Sequence, residues 1–136
     1  MKKTARAVII DDDKLLVFFR KKIRDNQEVT YYAIPGGHVE DDETLEETVV
    51  RELKEEMNLD IEILGYLGKL VVDNQEENYY HAKIASGSIQ FGGEELERNS
   101  DSNYYEIRWL PINELDTSGI RAMDLVKKAI RVDYEN

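Results

Sequence analysis

The chain has 136 residues and a mass of 15.8 kDa, the size of one domain able to bury about two thirds of its unfolded surface unaided, and a single domain over residues 1–136 is expected. With 18 Lys and Arg against 29 Asp and Glu, its formal charge is −11 and its isoelectric point about 4.6, which argues against a protein that grips duplex DNA through its phosphates. The absence of cysteine excludes disulfides, thiolate zinc sites and cysteine nucleophiles, and fits a cytoplasmic setting. The longest apolar run, residues 15–19, is far below the roughly 18–20 residues of a membrane span. Met1-Lys2-Lys3 leads into only four apolar residues, 7–10, so neither a signal peptide nor a membrane anchor is expected.

Residues 5–10 and 15–19 are rich in Val, Ile, Leu and Phe around Asp11-Asp12-Asp13-Lys14, which predicts an opening hairpin. Residues 1–24 carry eight bases and three acids, a net of +5, while residues 40–60 carry ten acids and two bases, a net of −8. Arg20, Lys21, Lys22 and Arg24 form either a basic lip facing that acidic patch or a solvated hairpin end. A third strand is expected at 30–34, stopped by Pro35-Gly36-Gly37. A helix follows over 44–57, with Asp42 or Glu43 near its start and Asn58, which tolerates the left-handed conformation, at its end. Residues 61–72 and 79–85 read as a strand pair around a polar turn, and 86–103 as a loop with a brief strand at 89–91. Residues 104–110 form a last strand, and 112 onward to 132 a terminal helix. This order predicts an α+β fold with a mixed central sheet between helices.

On a wheel of about 100° per residue, Leu45, Val49, Val50, Leu53 and Met57 of the helix form one apolar stripe. Glu52 and Glu56 run along its edge, with Glu55 close by, whereas Glu47 and Lys54 point away. Carboxylates crowded beside a buried face repel one another and lose hydration unless a cation compensates them. Arg51 supplies one positive charge; a divalent ion supplies more, and an all-oxygen site suits Mg²⁺ or Mn²⁺. Helix spacing alone also fits an amphipathic helix with salt links such as Glu47 to Arg51.

The segment before the helix separates these readings. Gly37, Glu43, Arg51, Glu52, Leu53, Glu55, Glu56 and Leu59 stand at fixed intervals that closely resemble the Nudix box, G-x5-E-x7-R-E-U-x-E-E-x-G-U, where U is aliphatic. Eight of the nine specified positions match over residues 37–59; the departure is Asn58 in place of the second glycine. The flanking elements resemble the same family over essentially the whole chain. The resemblance implies an α/β/α sandwich with the box helix on one face of the sheet and the C-terminal helix on the other. It also implies hydrolysis of a nucleoside diphosphate linked to another group, with Mg²⁺ or Mn²⁺ as cofactor. Carried over by residue, Glu52, Glu55 and Glu56 are the expected metal ligands, with the Gly36 carbonyl as an additional one. Arg51 would orient the glutamates and Glu43 would brace the loop against the helix.

The general base is either Glu52 or a glutamate of the later polar segment, Glu94, Glu95 or Glu97. His38, Arg20 and Glu97 are candidate substrate contacts, and His81 reads as structural. Among Tyr31, Tyr32, Tyr79, Tyr80, Tyr104, Tyr105 and Trp109, one or two should face a ligand and the rest the core. Gly65 to Lys69 lacks the spacing and the following Ser or Thr of a P-loop. The expected partner is a nucleotide-type small molecule, acted on by a monomer or homodimer. A nucleoside triphosphate leads, with ADP-ribose, a dinucleoside polyphosphate or an RNA 5′ end as alternatives, and an idle nucleotide-sensing domain as the reading from another class.

Overall fold

The computed structural model describes residues 1–89 and 103–135. Strand β1 (Lys2–Asp11) turns through Asp12 and Asp13 into β2 (Lys14–Arg24), which turns through Asp25 and Asn26 into β3 (Gln27–Ala33). These four turn residues hold φ values of 51°, 59°, 51° and 64°, a conformation that Asp and Asn tolerate and whose twist suits a two-residue hairpin. The short β4 (Gly36–His38) precedes helix α1 (Leu45–Met57). A long hairpin of β5 (Asp60–Val72) and β6 (Gln75–Ser86) follows, then β7 (Asn103–Pro111), a 3-10 turn (Ile112–Thr117) and helix α2 (Met123–Glu135).

The strands form a mixed sheet in the order β3-β2-β1-β6-β5, with β7 also paired to β2 and β4 to β1. β1 runs parallel to β6 over Lys2 to Ile9, a long-range pairing that ties the two halves of the chain together. β1 and β2, in contrast, pair only at their hairpin end, through Ile10 with Leu15 and Asp11 with Lys14. Beyond that end the two strands part: Thr4 to Arg6 turn to β4, and β2 takes β3 on one side and β7 on the other. The parting opens the cleft in which the site is built.

Both faces of the central strands are buried. Ala7, Ile9, Leu16 and Phe18 pack with Val49, Leu53 and Met57 of α1, whereas Val8, Leu15 and Val17 pack with Val126 and Ala129 of α2. Burial on both faces explains why the start of β2 is continuously apolar rather than alternating. The expected sandwich, with one helix on each side of a mixed sheet, is the architecture found.

Several expected boundaries move. β2 continues to Arg24 and β3 begins at Gln27, because the basic residues 20–24 still alternate as a strand and Asp25-Asn26 supplies the turn. Val50 is 41% exposed and lies off the apolar stripe, its place on the buried side taken by Thr48. The first turn of α1 is capped by Thr44 rather than by Asp42 or Glu43. The Thr44 hydroxyl accepts from Glu47 N–H and the Glu47 carboxylate accepts from Thr44 N–H, so Glu47 serves the helix start and not Arg51. The terminal helix starts at Met123, since Gly119 (φ 72°) and Ala122 (φ 58°) break the segment after the 3-10 turn. Residues 87–89 are irregular, and the rest of the strand expected at 89–91, with Glu94, Glu95 and Glu97, lies outside the described residues.

Candidate active site

The loop before α1 is fastened to β1 through its backbone: Ala7 N–H donates to the Pro35 carbonyl at 2.9 Å and Val39 N–H to the Lys3 carbonyl at 3.0 Å. Glycine is required at Gly36 and lets a carboxylate come close at Gly37. At Gly36, with φ 150°, a Cβ would stand 2.2 Å from the Ala5 carbonyl oxygen, so only a bare backbone fits against β1. At Gly37 a Cβ would stand 2.5 Å from the Glu52 carboxyl group, so the loop backbone lies directly on that carboxylate.

Arg51 organises the acids. Its Nε donates to Glu43 Oε2 at 2.7 Å and its Nη2 to Glu43 Oε1 at 3.1 Å, a two-point pair. Nη1 donates to Glu52 Oε1 at 3.0 Å and to Glu55 Oε2 at 3.2 Å, while Nη2 also reaches the His38 carbonyl at 3.1 Å. Glu43 in turn accepts from Glu40 N–H at 3.1 Å and from the Thr48 hydroxyl at 2.6 Å, so one carboxylate joins the loop to the helix. The Arg51 guanidinium holds the Glu43 carboxyl down at about 2, against its ordinary 4.5, although burial opposes the shift. The same pair, with the Glu52 charge, pushes the Arg51 pKa up.

Glu52, Glu55 and Glu56 sit within one helical turn on the side facing the loop, and they differ in burial: the Glu52 side chain is 16% exposed, Glu55 55%, and Glu56 as a residue 4%. Glu52 and Glu56 are one turn apart, so both project to the same side. Among the described residues no three carboxylate or imidazole groups are already drawn together as a metal cage. The donor set nevertheless fits a hard divalent ion. Its carboxylates line a cleft of about 410 Å³ together with Gly36, and Arg51 is the cation that balances Glu43, Glu52 and Glu55.

That acidic cleft adjoins a second of about 530 Å³, and Arg6, Arg20, Ala33 and Ile34 line both. Arg6 is held by Glu77 at 3.1 Å and by the Ile34 carbonyl at 2.9 Å, and Arg121 binds the other oxygen of the buried Glu77 at 3.0 Å. Arg20 donates to the Tyr105 hydroxyl and lies 4.2 Å from the Tyr105 ring centre and 5.4 Å from that of Tyr31. The structure therefore brings Arg20, Gly36, Gly37, His38, Arg51, Glu52, Glu55 and Glu56 to one cleft. Leu53 and Leu59 are core residues, and Asn58 (φ 59°) ends α1 in the left-handed conformation, its Nδ2 donating to the Ser88 carbonyl at 3.2 Å. Glu97 lies outside the described residues. His81 is buried and bound to Asp133 of α2 at 2.8 Å, a link between sheet and helix remote from the cleft residues.

Sequence reasoning passed over Arg6, Thr48, Glu77 and Arg121. Thr48 was legible, because a polar residue inside the apolar stripe needs a partner and Glu43 is a helical turn and a half away. The other three depend on pairings across the sheet that no local pattern carries. Of the aromatic candidates, Tyr31, Tyr32 and Tyr79 line the second cleft and Tyr105 the first, while Tyr80 and Trp109 pack in the core.

The model of the NUDIX domain matches residues 1–129, and the chain therefore belongs to the Nudix family. Its pyrophosphatase-named relatives and this match make it a hydrolase acting on pyrophosphate bonds, in a family that takes nucleotide-type substrates and generally uses a divalent metal. It is 31% identical over 124 residues to an ADP-ribose pyrophosphatase of Methanocaldococcus jannaschii, covering 91% of this chain and 70% of that one. It is 33% identical over 88 residues to a protein named MutT4 of Mycobacterium tuberculosis, a match that covers 62% of this chain and spans about a third (34%) of that protein's length. Solved structures of an ADP-ribose pyrophosphatase from Streptococcus suis and a NUDIX-family hydrolase from Clostridium perfringens share the fold. Their TM-scores are 0.66 and 0.69 at 19% and 18% identity, with 97% and 96% of this chain covered and 91% and 97% of theirs. Among the described residues no helix is long and apolar enough to cross a membrane.

Proposed function

We propose that this chain, as a single Nudix domain, cleaves the pyrophosphate bond of a nucleoside diphosphate linked to a second group. It would act as a cytoplasmic monomer or homodimer that does not bind duplex DNA. The observation that carries the reading is the continuity of the two clefts: a carboxylate-lined one under the Nudix box opens, past Arg20, onto a basic and tyrosine-lined one. A pyrophosphate would lie at the first while the rest of the substrate occupies the second, whose roughly 530 Å³ is of the size that holds a small organic ligand. That volume, with the relatives named for ADP-ribose, favours a two-ended substrate of the ADP-ribose kind over a plain nucleoside triphosphate.

Mg²⁺ or Mn²⁺, when bound, neutralises charge on the pyrophosphate and makes bound water more acidic. Glu52, Glu55 and Glu56 would hold it, with the Gly36 carbonyl as a further donor. Arg51 keeps Glu52 and Glu55 aimed into the cleft, and Glu43 locks Arg51 and the loop to the helix. Arg20, stacked between tyrosines, is set to pair with a phosphate oxygen at the junction of the clefts. Glu52 and the segment holding Glu94, Glu95 and Glu97 remain the candidates to take the proton of the attacking water, and Glu52→Gln compared with Glu97→Gln separates them.

The test is a panel of ADP-ribose, nucleoside triphosphates and dinucleoside polyphosphates, each with Mg²⁺ or Mn²⁺, with products resolved by chromatography. Metal-dependent release of AMP from ADP-ribose is expected. Folded protein that hydrolyses no member of the panel would overturn the reading in favour of an idle nucleotide-sensing domain.

A further inference from the structure

The second cleft carries more positive charge than a neutral sugar or base calls for. Arg20, Lys22 and Arg24 alternate along β2 and so present their side chains on one face, beside Tyr31 and Val29 of β3, which are register partners of Arg20 and Lys22. Lys22 Nζ lies 5.9 Å from the Tyr31 ring centre. Arg121 closes the opposite side from the segment before α2. One carboxylate, Glu77, serves both Arg6 and Arg121, and among the described residues no carboxylate pairs with Lys22 or Arg24. In a chain of net charge −11, this lines a cavity with a row of cations that, among the described residues, have no acidic partner of their own. A cleft lined by one sign of charge concentrates the field inside it and so favours an anionic group over a neutral one.

We infer that Lys22, Arg24 and Arg121 form an anion subsite for a second phosphate on the substrate, separated from the cleaved pyrophosphate by one sugar. The spacing supports this. Strand geometry sets Lys22 and Arg24 about 7 and 13 Å beyond Arg20, and Arg20 stands at the junction with the carboxylate cleft. A pyrophosphate on the Arg20 side and a phosphate one pentose further on match that interval, with Tyr31 offering a ring face between them. This deepens the proposed pyrophosphohydrolase reading and rests on it. The same phosphate chemistry comes from two sources, a monophosphorylated small molecule and the first phosphodiester of an RNA chain.

The experiment compares matched pairs: ADP-ribose with its 2′-phosphorylated form, and ATP with a 5′-triphosphorylated dinucleotide. The expected result is that kcat/KM favours the phosphorylated member of at least one pair by about tenfold at low salt, with the preference shrinking at 0.5 M salt because exposed charges are screened. Which pair shows it identifies the source. Lys22→Gln with Arg24→Gln should abolish the preference. A wild-type preference below twofold in both pairs, or a preference that survives the double variant, overturns the inference. Calorimetry in metal-free buffer keeps it separate from the catalytic reading. Adenosine 3′,5′-bisphosphate should bind more tightly than AMP to wild type and equally with AMP to the double variant, whether or not any substrate turns over. Equal binding of the two by wild type counts against the subsite.

Discussion

At the residue scale the chemistry concentrates on Glu56, which combines a carboxyl group with almost complete burial. Glu56→Gln keeps the shape and removes the charge, so the fold should persist while kcat falls by at least two orders of magnitude, roughly 3 kcal/mol of barrier. Steady-state kinetics at saturating Mg²⁺ check this, and an unchanged kcat would remove Glu56 from the site. Asn58 tests the departure from the box. Its backbone holds φ 59° and its N–H reaches the Leu53 and Lys54 carbonyls, the geometry glycine adopts without strain. Asn58→Gly gives up one hydrogen bond to Ser88 and should leave stability within about 0.5 kcal/mol and activity intact, whereas Asn58→Val should cost about 1–2 kcal/mol in urea denaturation. Loss of activity in a folded Asn58→Gly protein would show that the amide side chain itself acts at the site.

At the element scale, the loop and α1 behave as one unit because Glu43 and Arg51 lock them. The folded Glu43 carboxyl, at about 2 rather than 4.5, binds its proton less readily than the unfolded one. Its contribution to stability is therefore complete above about pH 4.5 and is lost as the pH falls toward 2. Glu76, through Asn78, and Glu106, through Arg108, are also held below the ordinary value and add acid sensitivity of the same sign. The informative comparison is thus wild type against Glu43→Gln: urea midpoints between pH 5 and 2.5 should fall less steeply for the variant. Parallel slopes would show that the pair stores no pH-dependent stability. Much of this element was legible beforehand. The box intervals single out Glu43 and Arg51, the pair that joins loop to helix, while the capping role of Thr44 and Glu47 lies in a Thr-x-x-Glu pattern that the reading of the helix start did not use. The shorter final helix was harder to foresee, since only the φ values of Gly119 and Ala122 reveal the break.

At the scale of the whole molecule, the sheet brings residues from distant parts of the chain around carboxylates that repel one another. Mg²⁺ or Mn²⁺ should bind this folded arrangement far better than the unfolded chain, stabilising the protein by about 2–3 kcal/mol at a hundredfold excess over its dissociation constant. Thermal melts in EDTA and in millimolar Mg²⁺ or Mn²⁺ measure it: the melting temperature should rise with either ion, and less so in Glu56→Gln. A melting temperature indifferent to both ions, with and without nucleotide, would argue against a metal site. The sequence by itself determined what depends on neighbours a few residues apart: the paired-Asp turn, the apolar stripe of α1, its acidic edge, and the box that joins Gly37 to Leu59. Tertiary structure alone decided that β1 and β2 part after Ile10 and Leu15, and that Arg6, Arg20, Tyr31, Glu77 and Arg121 meet around one cleft. The physical reason is range. Turn and helix preferences are written in local backbone sterics and periodicity, whereas the meetings of Arg6 with partners 28 and 71 residues away follow from strand register, which the packing of both faces of the sheet sets at once.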